Sequence, residues 1–302
     1  MDDTKKSELL ERIQYLESQI ADREADLKHY RLEIGQLNQR MEAIIVRLNN
    51  ELKLMHEIQK LLVPTELPSL QGFEFSSKFV PSIISGGDYF DIFEHNDRLR
   101  FGMVVSSATG HSMSALLLSV LLRLTSRMEA RTGAKPEQIL KSVVEELAAQ
   151  SIGNDAAHIF YSMMDRRSFT LHYSLLGDIS VFYQSAKTKN VELIRAMTPP
   201  ITSSFSQKVP SKSIQMQPRD RLVLVTQGIA AAVNLNGEEF GVERLADIMI
   251  RGPKLSVHEL RNSILHEVEN HRSGQQLQRD QTILVLEVKE RVIKLADISS
   301  EE

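Results

Sequence analysis

The sequence predicts an α+β domain, with antiparallel sheets flanked by helices, that follows a long N-terminal helix. Two observations support this prediction. Residues 1–62 contain no proline and repeat apolar side chains in heptads, whereas the following residues form short β-rich segments and a few longer helical ones. The strand-like segments outnumber the helical ones, and many are neighbours along the chain, as in hairpins. This arrangement favours antiparallel sheets.

The N-terminal helix carries the signature of a left-handed coiled coil. Two successive four-residue steps, Ile44 to Leu48 and Leu48 to Leu52, come before Met55 and form a stutter that locally unwinds a supercoil. A polar helix with a narrow apolar stripe needs a partner helix, so we expect residues 1–62 to form a homodimer. The heptads are compatible both with a rod that only dimerises and with one that also passes on a signal. Steps of four and three, interrupted by Arg23, join Leu9, Ile13, Leu16, Ile20, Leu27, Tyr30, Ile34, Leu37, Met41, Ile44 and Leu48.

A globular domain is predicted over residues 63–290, with a polar tail over 291–302. Pro64 and Pro68 end the first helix, because proline disfavours helical backbone in the residue before it. Three further helices are predicted, from Met113, from Pro136 and over 255–272. Segments rich in β-branched and aromatic residues predict strands over 73–80, 99–107, 157–164, 169–176, 179–185, 221–227 and 281–289.

Composition excludes several functional classes. The 302 residues are 42% hydrophobic and 25% charged, which excludes collagen-like, low-complexity and wholly disordered chains. A formal net charge of −4 gives no reason to expect nucleic-acid or anionic-membrane binding. The absence of cysteine excludes disulfides and thiolate metal sites. No apolar stretch approaches the roughly 18 residues of a membrane span, and the N-terminus is too polar for a signal peptide, so we expect a cytoplasmic protein.

Three segments combine a strand end with small or polar residues. The first contains Gly86 and Gly87, which allow close backbone approach and predict a turn that carries Asp88. The second precedes the helix from Met113, and the third ends an apolar strand. Taken singly, each has an ordinary structural explanation, such as a turn or a helix cap. The other residues of interest in these segments are Asp91, Ser107, Ala108, Gly110, His111, Gln227 and Gly228, and Asp280 opens the last strand.

Taken together and in order, these segments resemble the SpoIIE/RsbU branch of the PPM-type, metal-dependent serine/threonine protein phosphatases. The resemblance runs from about residue 57 to residue 289 and includes the approach IQKLLVP. It implies two stacked antiparallel sheets flanked by helices, with a metal site at one end of the sandwich. GGDYFD at 86–91 resembles the family's GGDYYD, VSSATGHS at 105–112 lies where the family has GDVSGHG, RDRLVLVTQG at 219–228 resembles GDRLLLYTDG, and RDQTILV at 279–285 resembles DDITLVV.

The resemblance implies a centre of two Mn²⁺ or Mg²⁺ ions held mainly by aspartates, with a metal-bridging water that attacks the phosphoester. Hard divalent ions prefer carboxylate ligands, and they lower the pKa of the attacking water. Of the family's aspartates, only the GGD aspartate is present, as Asp88. Ser107 (followed by Ala108), Gln227 and Arg279 stand at the other three positions, and Asp280 lies beside Arg279.

We therefore expect a pseudophosphatase that needs no cofactor and acts through protein–protein interaction. The resemblance suggests a partner such as a phosphoprotein of a partner-switching pathway. The alternatives are an active Mn- or Mg-dependent phosphatase with Asp88 and Asp280 as acidic ligands, and an adaptor in which the rod is the functional part. Arg279 either pairs with Asp88 in the space of a missing ion or points into solvent. Asp91 is expected to be structural.

Overall fold

The computed structural model describes residues 2–62, 64, 66–82, 87–109, 135–150, 155–252 and 254–289. The chain divides into two compact units, residues 1–54 and 55–302. The predicted long N-terminal helix is confirmed as α1, Asp2–Leu62. Every side chain of α1 from residue 8 to residue 50 is exposed. The domain boundaries at residues 62 and 290 stay predictions, and the tail over 291–302 lies outside the described residues.

The second unit contains two five-stranded sheets in which all neighbouring strands are antiparallel. The first sheet has, in spatial order, β1 (Phe73–Val80), β10 (Gln281–Val288), β9 (Arg221–Val225), β6 (Ser180–Gln184) and β7 (Val191–Ile194). The second has β2 (Asp88–Glu94), β3 (Arg100–Thr109), β4 (Ala156–Asp165), β5 (Thr170–Leu176) and β8 (Lys212–Gln215).

Helices cover the outer faces of both sheets. They are α2 (Pro136–Gln150), the short α3 (Gln227–Ala230), α4 (Val242–Arg251) and α5 (Val257–Arg272). Helix α5 begins with a capping box, in which the Ser256 side chain accepts from the Glu259 backbone and the Glu259 side chain accepts from that of Ser256. The helices predicted from Pro136 and over 255–272 are α2 and α5. The helix predicted from Met113 lies outside the described residues.

The two sheets pack face to face around a central core that includes Phe75, Phe101, Phe160, Leu224 and Leu286. Apolar residues of α2 pack on the outer face of the second sheet, and those of α4 and α5 pack on the outer face of the first. Because both faces are covered, β3, β4 and β10 are continuous buried runs without a polar side. The predicted α+β sandwich is therefore confirmed.

The seven predicted strands correspond to β1, β3, β4, β5, β6, β9 and β10, and the prediction missed β2, β7 and β8. The turn predicted at Asp88 is wrong, since Asp88 is the first residue of β2 and pairs with Ser107. The sequence DYFDIFE was not predicted as a strand because acids ordinarily face solvent, whereas Asp88 and Asp91 are buried here. No helix in the described part of the chain combines the length and apolar character that a membrane crossing needs.

Candidate functional site

The predicted site residues come together at one end of the sandwich, where strands of both sheets begin or end. Asp88 opens β2 and lies opposite Ser107 of β3. Thr226 follows β9 and is the N-cap of α3, whose first residue is Gln227. Asp280 immediately precedes β10. Antiparallel pairing of β9 with β10 is what brings segments more than fifty residues apart to one edge.

The Asp88 carboxylate connects the two sheets. It is 3% exposed, and its Oδ2 accepts hydrogen bonds from Thr226 Oγ1 at 2.6 Å and from Thr282 Oγ1 at 2.8 Å. Thr226 Oγ1 in turn accepts from the Thr282 backbone N–H at 3.0 Å. Asp88 belongs to the second sheet, Thr282 to the first, and Thr226 follows a strand of the first. Neither threonine was identified from the sequence, because both stand at apolar strand ends and resemble ordinary β-formers.

Asp280 anchors the backbone beside Asp88. Its carboxylate is buried, with Oδ1 accepting from the Ser82 N–H at 2.7 Å. Oδ2 accepts from the N–H groups of Gly87 at 2.9 Å and Asp88 at 3.3 Å. Because both oxygens accept backbone hydrogen bonds, this side chain holds the start of β2 in place.

The pKa of Asp88 is raised to about 7. Burial is the largest cause, because it disfavours the charged carboxylate, and repulsion from Asp280 adds to it. Side-chain hydrogen bonds from Ser107, Thr226 and Thr282 oppose the rise. A proton therefore competes with any cation for this carboxylate near neutral pH.

Gln227 and Arg279, at two of the aspartate positions, hydrogen-bond to each other. The exposed Arg279 guanidinium donates to Gln227 Oε1. Gln227 Nε2 donates to Asp178 Oδ2 at 3.1 Å. Arg279 is therefore exposed to solvent, as the second of the two alternatives expected, and does not pair with the buried Asp88. Its hydrogen-bond partner is Gln227.

A buried histidine, His158, lies next to this polar chain and was not identified from the sequence. It is on β4 opposite Ser107, is 5% exposed, and its Nδ1 accepts from the Asp178 backbone N–H at 2.9 Å. Nδ1 as acceptor places the proton of the neutral ring on Nε2. Burial is the main cause that lowers the His158 pKa, and Arg279 adds to it while Asp178 opposes it. The available signal was a polar residue in the apolar run AHIFYSMM.

The remaining predicted residues have structural contacts. The buried Asp91 accepts from the Tyr89 hydroxyl at 3.0 Å and from the Ile92 N–H at 2.9 Å. The Ala108 N–H donates to the Gly87 carbonyl at 3.1 Å. A Cβ on Gly228 would lie 1.9 Å from the Asp280 carbonyl oxygen, so only glycine fits there. Gly86, Gly110 and His111 lie outside the described residues.

A family comparison agrees with this geometry. The model of the family "Stage II sporulation protein E (SpoIIE)" matches residues 97–289. The chain belongs to the SpoIIE family. This finding confirms the resemblance seen in the ordered sequence motifs, and with it the PPM-type phosphatase branch.

Solved structures show the same fold. The SiaA-PP2C domain of Pseudomonas aeruginosa matches with a TM-score of 0.67 and 18% identity, over 81% of this chain and 98% of that one. The RsbU and RsbW domains of a Mycobacterium tuberculosis protein match with a TM-score of 0.63 and 17% identity, over 74% of this chain and 64% of that one.

A curated relative is much longer than this chain. Protein IcfG of Synechocystis sp. is 23% identical over an alignment of 228 residues, and the match covers 66% of this chain and 35% of IcfG. The chain therefore spans about a third of that relative.

The side chains at this SpoIIE-family site do not fit the two-ion centre that the resemblance implies. Such a centre needs several carboxylates around both ions. Among the residues that the structure describes, no group of three or more His, Cys, Asp or Glu side chains is placed to hold a metal ion. Asp88 and Asp280 are buried carboxylates at this end of the sandwich, and both already accept hydrogen bonds from other groups.

Proposed function

We propose that this SpoIIE-family protein is a pseudophosphatase that signals through protein–protein interaction. The observation that carries the proposal is the replacement of three ligand aspartates by Ser107, Gln227 and Arg279. Two divalent cations a few ångströms apart repel each other by several kcal/mol even at an effective dielectric of about 20. With three of the four carboxylates that would offset that charge replaced, and with a guanidinium added, the site disfavours both ions.

The contacts of the remaining acids support the same conclusion. A metal at Asp88 would have to compete with the hydroxyl donors of Thr226 and Thr282. A metal at Asp280 would release the backbone of Ser82 and Gly87. Loss of partners outside the ligand shell alone typically weakens metal binding by about 10–100-fold, so loss of three ligands should weaken it more.

The test is calorimetric titration of Mn²⁺ into the full chain, with turnover of a phosphoserine peptide measured on the same sample. We expect neither binding below millimolar Mn²⁺ nor turnover. The triple variant Ser107→Asp/Gln227→Asp/Arg279→Asp should bind Mn²⁺ more than about 100-fold more tightly. Adding Asp88→Asn to that variant is the matched control and should remove the gain.

Micromolar Mn²⁺ binding by the unmodified chain, with turnover lost in Asp88→Ala, would overturn the proposal. It would favour the alternative, an active Mn- or Mg-dependent serine/threonine phosphatase with an atypical site. Asp88 and Asp280 would then be its acidic ligands.

We further propose that the partner is a phosphoprotein of a partner-switching pathway in the cytoplasm. The Mycobacterium tuberculosis relative, which contains an RsbU and an RsbW domain, supports a signalling context of this kind. A groove of about 940 Å³, lined in part by Gln227, offers a binding surface. The exposed Arg195 and Arg279 line it together with three carboxylates, those of Asp178, Glu239 and Glu243. Guanidinium groups suit phosphate because they donate paired hydrogen bonds.

Homodimerisation through residues 1–62 is also part of the proposal. The heptad side chains of α1 are exposed in a single chain, from 43% for Leu16 to 63% for Leu9. A row of exposed apolar residues at this spacing is stabilised by burial against a second helix.

A further inference from the structure

We propose that α1 pairs with α1 of a second copy as a parallel, in-register, two-stranded coiled coil. This inference rests on the homodimerisation proposed above and adds its direction and register. It means that both copies of the SpoIIE-family domain follow the rod at the same end. The observations that carry it are the residue types at the heptad core and the charges that flank that core.

The heptad core has the residue types of a parallel dimer. The alternating steps assign Ile13, Ile20 and Ile34 to position a, and they assign Leu9, Leu16 and Leu37 to position d. β-branched residues at a with leucine at d favour two parallel strands. The other core positions are Leu27, Met41 and Leu48 at a, and Arg23, Tyr30 and Ile44 at d.

The flanking charges are complementary in the parallel register. In that register, each g residue faces the e residue five positions later in the other copy. Arg12 therefore faces Glu17, and Asp26 faces Arg31. Symmetry repeats each contact, so four attractive pairs form. The other g–e contacts join no like charges, since they are Gln19 with Glu24, Glu33 with Asn38 and Arg40 with Ile45.

The same helices aligned antiparallel bring like charges together. The alignment that overlaps every core layer places Ile13 opposite Ile44, and g residues then face g residues while e residues face e residues. Arg12 would face Arg47, and Asp26 would face Glu33. The favourable charge pair in this alignment is Glu24 with Arg31. The charge pattern therefore discriminates against the antiparallel dimer.

Arg23 fixes the register. In register, the two Arg23 side chains share one d layer, from which long side chains reach solvent beside Glu24 and Asp26. Any shift by whole heptads would place each Arg23 against an apolar layer and disrupt two layers instead of one. A single polar core residue selects register in this way at a cost in stability.

The first test uses single cysteines, since the chain has none of its own. Leu16→Cys and Ile44→Cys lie at d positions about 42 Å apart along the helix, at ~1.5 Å per residue. In the parallel register, each cysteine meets its own copy, so both full-length variants should convert to disulfide-linked dimers under mild oxidation. The matched controls Ser18→Cys and Val46→Cys lie at outward-facing f positions and should remain single chains on a non-reducing gel.

The outcomes separate the two proposals. Crosslinking of only one d variant, or of neither, in a chain that sediments as a dimer overturns the parallel register and leaves dimerisation standing. In an antiparallel dimer, only a residue on the two-fold axis meets its own copy. A full chain that sediments as a monomer at every concentration overturns both proposals. Neither result depends on the metal titration.

A charge variant keeps the test independent of cysteine chemistry. Arg12→Glu faces Glu17 in the parallel dimer, so it should weaken dimerisation about fivefold, and adding Glu17→Arg should restore it. In the antiparallel alignment, the same substitution faces Arg47 and would tighten the dimer instead. Arg40→Glu, which faces no charge in either alignment, is the matched control. Tighter dimerisation by Arg12→Glu would overturn the inference.

Discussion

At the residue scale, the site end of the sandwich is held together by buried polar groups. Thr226 and Thr282 donate to Asp88, while Asp280 accepts from the backbone that leads into β2. Buried polar groups are costly unless paired, so these residues depend on one another. In this structure, the carboxylates of Asp88 and Asp280 stabilise the junction between the sheets.

We predict that Asp88 makes the fold less stable as pH rises. Its pKa is about 7 in the fold against the ordinary aspartate value of 3.8, so the folded state binds more protons between these pH values. Its contribution to stability is present below about pH 4 and is lost as pH rises through about 7, by at most ~1.4 kcal/mol per pH unit. Urea unfolding in EDTA should show this slope in the unmodified chain and a flatter one in Asp88→Asn. Equal slopes would contradict the prediction.

The contribution of a second buried group, His95, to folding stability should depend on pH in the opposite sense to that of Asp88. It is 4% exposed, and neither ring nitrogen has a partner within the described part of the chain. Burial, followed by Arg100, lowers its pKa below 6.5, so its contribution to stability is lost as pH falls below that value.

We predict that His95→Phe raises the free energy of unfolding by ~1 kcal/mol at neutral pH, because it removes two unpaired buried nitrogens. The new ring would keep the stacked contact with Phe93, whose centroid is 5.9 Å away. Urea unfolding measures the change. The half-buried His172→Phe is the control, and an equal gain there would show that the effect is not specific to His95.

At the scale of elements, the contact between α3 and β10 is closer than any side chain permits. Gly228 lies against the backbone of Arg279 and Asp280, and a Cβ would lie 1.9 Å from the Asp280 carbonyl oxygen. The Gln281 side chain donates to the Gly228 carbonyl at 2.9 Å, which adds to the same junction.

Gly228→Ala should therefore lower the free energy of unfolding by ~1–3 kcal/mol, since α3 must move away from β10. Thermal unfolding followed by circular dichroism measures the loss. Gly237→Ala is the control for a glycine with open space around it, although its φ of +79° carries a backbone penalty of its own. A Gly228→Ala variant as stable as the unmodified chain would show that the junction is loose.

At the scale of the whole molecule, the two units have different sources of stability. The unit over residues 55–302 contains three hydrophobic clusters of its own. The first unit is a helix whose side chains over residues 8–50 are exposed, and the proposed coiled coil would bury its apolar stripe against a second helix.

We predict that residues 55–302 without the rod fold cooperatively as a monomer, whereas the full chain is a dimer. Sedimentation velocity measures the mass, and urea unfolding checks that the truncated chain keeps a single transition. A truncated chain that still dimerises would place the interface in the domain rather than in α1. The full chain under the same conditions is the control.

The sequence by itself determined the features that depend on local pattern. The heptads and the absence of proline predicted α1, and apolar β-rich runs predicted seven of the ten strands found in the described residues. The ordered motifs indicated the family and the loss of three ligand aspartates. These features could be read locally because helix and strand periodicity, and the charge of a side chain, do not depend on distant residues.

Only the tertiary structure decided how the remaining acids are used. Asp88 bonds with Thr226 and Thr282, which lie 138 and 194 residues away in the chain, and Asp280 reaches back 193 residues to Gly87. The pairing of His158 with Asp178 depends likewise on the packing of one strand end. Such contacts leave no periodic trace, because folding alone brings their partners together. The burial of Asp88 at the start of β2 is also the main cause of its raised pKa.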